Sequence, residues 1–261
     1  MKFLREKIRN IKYDLKFFNR NKETRLNYTV NSSSNSKLTE LMNLHGSDKG
    51  GKNNHHNYSE YYSEIFFNKR KEIKNFIEIG LGTNNINLPS NMGATGVPLA
   101  SLRAWRDYFK NADIYGADID KNILVNENRI KTFFVDQTKP ETIKALFKNI
   151  GIDNFDIILE DGLHEYNANI CFFENSIEYL RDDGIYIIED IYYKDKEKFI
   201  NYFKKTNYNY SIVDIFHKKN IANKDKYRPF HVRLNLTRVV YSLGGTLRSK
   251  IRVWANISEC A

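Results

Sequence analysis

FDIILEDGLHEY, residues 155–166, is an apolar run that stops on two acids, Glu160 and Asp161, and carries His164 three positions after the second. GIYIIEDIYY, starting at Gly184, repeats the design and stops on Glu189 and Asp190. Short Ile-rich runs bounded by glycine and polar residues read as buried strands, and the segment between them has a helical pattern. Two such strands joined by a helix pair in parallel, so their carboxyl ends share one edge of the sheet. That edge then gathers four acids and a histidine, a composition suited to a metal site.

The same alternation extends in both directions. Strands are predicted near 75–79, 113–118, 129–135, 155–160 and 184–189, with helices near 98–110, 139–149 and 166–180. A helix near 194–205 and strands near 208–216 and 231–240 follow. The expected fold is α/β, a doubly wound, Rossmann-like sheet of seven strands with helices on both faces. Ligands of such sheets bind at the carboxyl ends of the strands.

The other strand ends are therefore the next places to read. FIEIGLGTNN, residues 76–85, places Gly80 and Gly82 where the backbone can come close to a ligand. A dinucleotide fingerprint needs a third glycine where Asn85 stands, and Pro98, expected in the first turn of the next helix, comes too late for a pyrophosphate at its N-terminus. DIYGADID ends on Asp118, placed to accept from a ribose diol, with Asp120 as the competing choice. FFVDQTKPE puts Asp136 and Gln137 beside the same pocket, suited to an adenine edge. Residues 83–97 form a long Asn- and Gly-rich loop, read as a lid closing around ligands, and Ser101 and Arg103 beyond it are further candidates on the cofactor side. For Arg103 a surface salt bridge competes with a ligand carboxylate or phosphate.

Composition sets the outer bounds. The 261 residues carry a net charge of +9, spread along the chain without a recognisable nucleic-acid module, so an anionic small molecule is expected rather than nucleic acid. Leu4, Ile8, Ile11, Leu15 and Phe18 line one face of a basic helix over residues 3–20, which packs on its own domain or a partner subunit in a homo-oligomer, or lies on an anionic membrane. Residues 1–37 are read as this helix and a polar linker, 38–241 as the catalytic domain, and 242–261 as a tail to which no site is assigned. Two distant cysteines, no signal-peptide core and no apolar run of membrane-spanning length point to the cytoplasm.

EIGLG, YGADID, VDQ, FDIILEDGLH and GIYIIEDI, in that order, resemble the class I S-adenosylmethionine-dependent methyltransferases. They are most similar to the metal-dependent sugar O-methyltransferases of macrolide tailoring and capsule polysaccharide biosynthesis. The likeness runs from about Leu44 to Asp190 and includes HGSDKGG and HHNYSEYYSEIF. It implies that Gly80, Gly82, Asp118 and Gln137 hold S-adenosylmethionine, that Asp161, Glu189 and Asp190 bind magnesium or manganese, and that His164 stands near the substrate. A hard cation on carboxylates can orient two adjacent hydroxyls and acidify one of them, and His164 can then accept the proton. The implied acceptor is a sugar hydroxyl, nucleotide-activated. A catechol-like acceptor, or a non-catalytic RNA- or polysaccharide-binding role, is the competing reading. Each residue also has a plainer role: Glu160 pairing with a surface base, Glu189 or Asp190 capping the next segment, and His164 as a satisfied polar side chain. His45, His55, His56, Tyr58 and Tyr62 either cover the ligands or pack in the core.

Overall fold

The computed structural model describes residues 23–30, 36–52, 58–217 and 230–235. The basic helix of residues 3–20, His55, His56 and the tail after residue 241 lie outside that set. Strands β1 (Glu23–Val30), β2 (Asn75–Ile79), β3 (Asp113–Asp118), β4 (Asn126–Glu127), β5 (Ile130–Phe134), β6 (Phe155–Glu160), β7 (Leu180–Ile191), β8 (Asn209–His217) and β9 (Phe230–Asn235) form one sheet. Its order is β1-β8-β9-β7-β6-β2-β3-β5-β4. Pairing is parallel from β7 through β6, β2 and β3 to β5, while β9 runs antiparallel between β7 and β8. The helices are α1 (Lys37–His45), α2 (Tyr58–Phe66), α3 (Ala100–Tyr108), α4 (Pro140–Ile150), α5 (Tyr166–Ser176) and α6 (Lys196–Lys205).

Strand alternation builds a core on each face of the sheet. In β6, Phe155 and Ile158 join α4, α5 and α6 on one face, while Ile157 and Leu159 join α1, α2 and α3 on the other. Trp105 of α3 anchors the second face. Its ring stacks on Phe109 at 5.5 Å and meets Phe76 at 5.1 Å and Tyr62 of α2 at 5.6 Å. Tyr62 is thereby held over the sheet with its hydroxyl directed toward the strand ends.

Two strands exceed the expected seven. β4 is a two-residue antiparallel edge on β5, and β1 pairs in parallel with β8 from a segment between the expected N-terminal helix and linker. ETRLNYTV has strand-forming residues, but a lone eight-residue run at a polar boundary says nothing of its partner. Helix α3 starts at Ala100, with Leu99 capping it in a left-handed conformation, so Pro98 lies ahead of the helix rather than in its first turn. Among the described residues no helix is long and apolar enough to cross a membrane.

Candidate active site at the strand ends

β6 and β7 pair with Glu160 opposite Ile188, which brings Asp161 beside Glu189. Asp161 N donates to Ile79 O at 2.8 Å, and Gly80 N donates to Ala117 O at 2.9 Å, so the turns after β2 and β6 are fixed to each other. A Cβ on Gly80 would stand 2.0 Å from the carbonyl oxygen of Asp161, and Gly80 has φ +86°. Glycine is required there by the close approach of the Asp161 backbone as well as by the turn.

Beyond the strand the chain does not continue as a helix. Residues 161–165 bend, and α5 begins only at Tyr166, so His164 reaches Asp161 through a turn rather than along a helical face. His164 has φ +60° and Asp190 has φ +51°. Left-handed conformations at residues with a Cβ cost on the order of 1 kcal/mol each and concentrate at functional positions. Here they turn two side chains toward one point. Ligand-type atoms of Asp161, His164 and Asp190 all lie within 4.8 Å of one another, and His164 Nε2 is 4.0 Å from Asp161 Oδ1. The other ring nitrogen, Nδ1, is buried and has no hydrogen-bond partner.

Lys49, to which the sequence reading gave no role, enters this cluster from the opposite side. Gly46 ends α1 in a left-handed conformation, and Ser47 Oγ accepts from Lys49 N at 3.3 Å, shaping the short turn that delivers the side chain. The ammonium donates to Asp161 Oδ2 and, at 2.6 Å, to Glu189 Oε2, and stands 3.8 Å from Glu78 Oε1. Tyr58 and Tyr62 are four residues apart on one face of α2. Tyr58 donates to Asp190 at 2.5 Å and Tyr62 to Glu189 Oε1. The segment ahead of β2 thus supplies a donor to each acid of the expected metal site.

Burial pulls the Lys49 ammonium down, but Asp161, Glu189 and Glu78 together hold it well above the ordinary lysine value. Burial, opposed by Lys49 and reinforced by Glu189, Asp190 and Glu78, pushes Asp161 well above the usual carboxylate range. Glu78, fully buried, is pushed up to about 7 by desolvation, partly offset by Lys49. Three carboxylates face one ammonium, with Asp190 as a fourth acid beside them, and a hard divalent cation is the natural complement. Oxygen donors with one imidazole suit magnesium or manganese.

The remaining candidates fall on the side of β2, β3 and β5. Asp118 is buried, accepting from Leu81 N at 2.7 Å and Asp120 N at 2.8 Å. Burial raises its carboxyl. Asp120 is lowered by its bond from Thr83 Oγ1, at 2.5 Å. Gln137 uses both ends of its amide, donating to Glu160 at 2.9 Å and accepting from Leu163 N at 2.7 Å, while Asp136 accepts from Thr138 N at 3.0 Å. Ser101 donates to Glu78 at 2.8 Å. A Cβ on Gly82 would lie 1.9 Å from Met92 Sδ, so the long loop packs into the space that this glycine leaves. Asn84 binds that loop internally, donating to Gly96 O at 3.0 Å, and Ser90 ties it to Leu163 O at 3.1 Å.

Three plainer expectations are settled by geometry. Glu160 is fully buried and bonds the amides of Gln137 and Asn169 and the backbone of Gly162, so among the described residues it pairs with no surface base. The amide-rich setting follows from its position under the turn, where solvent does not reach. Arg103 pairs with Glu127 at 2.7 Å, the salt-bridge alternative. His45 pairs with Asp107 at 2.8 Å, away from the cluster.

No family model matches the chain. It is 32% identical over 154 residues to the 8-demethyl-8-alpha-L-rhamnosyl tetracenomycin-C 2'-O-methyltransferase of Streptomyces olivaceus, covering 59% of this chain and 37% of that protein. It is 31% identical over 155 residues to the demethylmacrocin O-methyltransferase of Streptomyces fradiae, covering 59% and 36%. The chain thus spans little more than a third of the length of these curated relatives. Among solved structures it is similar to the MycE methyltransferase from the mycinamycin biosynthetic pathway in complex with Mg, SAH and mycinamycin VI. The TM-score is 0.51 at 28% identity, over 64% of this chain and 40% of that one. The parallel sheet, the order of its strand-end residues and these likenesses give the chain a methyltransferase-like Rossmann fold, similar over its central sheet to the sugar O-methyltransferases it matches.

Proposed function

We propose that the chain transfers a methyl group from S-adenosylmethionine to a sugar hydroxyl with the help of magnesium or manganese. The convergence of Asp161, His164 and Asp190 at adjacent strand ends carries this reading. Asp161 and Asp190 would hold the ion, and Glu189 would join them, since a carboxylate that accepts from Lys49 and Tyr62 keeps further lone pairs. The ion, when bound, supplies a Lewis acid that orients adjacent hydroxyls and lowers the pKa of one. His164 stands at the same point and would accept the proton of the reacting hydroxyl. Gly80, Gly82, Asp118, Asp136, Gln137 and Ser101 lie around the ends of β2, β3 and β5 and would line the methyl-donor side. Asp118 and Asp120 are the acids there for a ribose diol.

The acceptor is a sugar, in keeping with the rhamnosyl group for which the tetracenomycin methyltransferase is named. The net charge of +9 supports a nucleotide-linked form, of the kind used in surface polysaccharide synthesis in the cytoplasm. Calorimetry tests the donor half: S-adenosylhomocysteine binds and NAD does not. Screening methyl glycosides and nucleotide sugars for methyl uptake tests the acceptor half. Binding of NAD in place of S-adenosylhomocysteine would remove the basis of the proposal.

A further inference from the structure

With the methyl donor assigned to the ends of β2, β3 and β5, the acceptor has to approach from the β6 and β7 side. A cavity of about 530 Å³ opens there. Its walls begin one residue beyond His164 and two beyond Asp190. Glu165, Tyr166 and Asn167 come from the start of α5, and Tyr192, Lys194 and Asp195 from the turn leading into α6.

The lining has the chemistry of a carbohydrate site. Tyr192 is 52% exposed and offers an aromatic surface to the C–H face of a pyranose. The Tyr166 ring is fixed edge-on against Phe199 at 4.9 Å, giving a second, rigid aromatic wall. Glu165 and Asn167 are exposed, and their carboxylate and amide can hydrogen-bond hydroxyls. Asp195 and Lys198 neutralise each other at 2.7 Å. Lys194 lies over the Tyr192 ring at 5.4 Å and has no carboxylate within ion-pair range among the described residues. The walls are mostly polar, with two aromatic rings set among charged and amide side chains, a lining suited to a hydroxyl-rich ligand.

We infer that this cavity is the acceptor subsite and seats a pyranose ring against Tyr192 and Tyr166, with Lys194 at its mouth facing the anionic linkage of a nucleotide-bound sugar. The inference rests on the methyltransferase reading above. It seats the sugar against residues that closely follow His164 and Asp190 in the chain, and makes Tyr192 a specificity-determining residue rather than an exposed surface ring.

Saturation-transfer difference NMR tests it on the full chain with S-adenosylhomocysteine and magnesium, using methyl α-L-rhamnopyranoside, methyl α-D-glucopyranoside and UDP-glucose as probes. Ring protons of at least one probe receive saturation from the wild type. Tyr192→Ala weakens that probe's affinity on the order of tenfold, and Tyr192→Phe retains it. Lys194→Met weakens UDP-glucose and leaves the methyl glycosides unchanged if the acceptor is nucleotide-linked, whereas equal affinities in wild type and variant assign the site to a neutral glycoside. Calorimetry on the same samples shows S-adenosylhomocysteine and manganese binding within twofold of wild type, about 0.4 kcal/mol. No transfer to any probe in the wild type, or unchanged affinity in Tyr192→Ala, overturns the subsite while donor binding leaves the methyltransferase reading standing. Absent donor binding in the wild type overturns both.

Discussion

Lys49 Nζ lies 2.6 Å from Glu189 Oε2, across 140 residues of sequence, and neither side chain is more than 5% exposed. The same ammonium holds Asp161. A buried cation between two acids of the proposed metal site screens their carboxylates from each other's charge, and its removal leaves them uncompensated. Lys49→Met should lower the unfolding free energy in EDTA by about 3–5 kcal/mol, the usual cost of breaking a buried pair. Manganese should recover part of the loss by supplying positive charge at the same cluster. Urea unfolding with and without manganese measures both effects.

The acids divide by role under a binding assay. Asp161→Asn and Asp190→Asn should each weaken manganese binding by at least about tenfold, because each removes a charged ligand from a hard ion. Binding of S-adenosylhomocysteine should change little, since the proposed donor side lies on other strands. Isothermal titration with each ligand separates these outcomes. Equal losses of both would mean that the substitutions disturb the fold instead.

His164→Gln should lower kcat by about 10²–10⁴-fold, the range for a lost proton acceptor. Manganese and S-adenosylhomocysteine affinities should stay near wild type. The wild-type rate should rise with pH through one ionisation that the variant lacks. A near-normal kcat with an unchanged pH profile would return His164 to a structural role.

Glu78 gives the metal-free protein a pH dependence of stability. Its folded carboxyl is raised to about 7 from an ordinary 4.5, so protonation favours the folded state, and that advantage is lost as pH rises between those values. The full window corresponds to stability on the order of 3 kcal/mol. In EDTA the protein should therefore lose stability from pH 4.5 to 7.5, and Glu78→Gln should flatten the slope. Denaturant unfolding at several pH values reads the difference.

Gly80→Ala tests the coupling of the two turns. Its Cβ would collide with the Asp161 carbonyl at a backbone angle that alanine rarely adopts. The variant should be destabilised by at least about 1 kcal/mol and should bind manganese more weakly, because Asp161 has to shift. Thermal unfolding and manganese titration check the two parts.

The central strands were legible because each is a short apolar run with Gly or Asp at its end, and β2, β3 and β6 begin and end where the pattern says. The acids at the ends of β6 and β7 were legible for the same reason: parallel pairing puts successive strand ends side by side. β1 was not, since nothing in ETRLNYTV names β8 as its partner across most of the chain. Lys49 escaped because a single lysine in a turn looks like a solvated one. The turn signals around it, Gly46, Ser47 and Gly51, together with the Tyr58 and Tyr62 pair on one helical face, were the available clue. The left-handed backbone at His164 and Asp190 has only a weak sequence signature, since neither is glycine, though Asp and His enter that region more often than most side chains.

Methyl transfer with and without metal bears most directly on the account. The wild-type chain, stripped of metal and checked by elemental analysis, would be incubated with methyl-labelled S-adenosylmethionine and a panel of methyl glycosides and nucleotide sugars, in EDTA and then with added magnesium or manganese. Label should appear on a sugar hydroxyl only when the metal is restored, and Asp161→Asn should abolish the restoration. Equal labelling in EDTA by verified metal-free protein would contradict the metal-assisted mechanism.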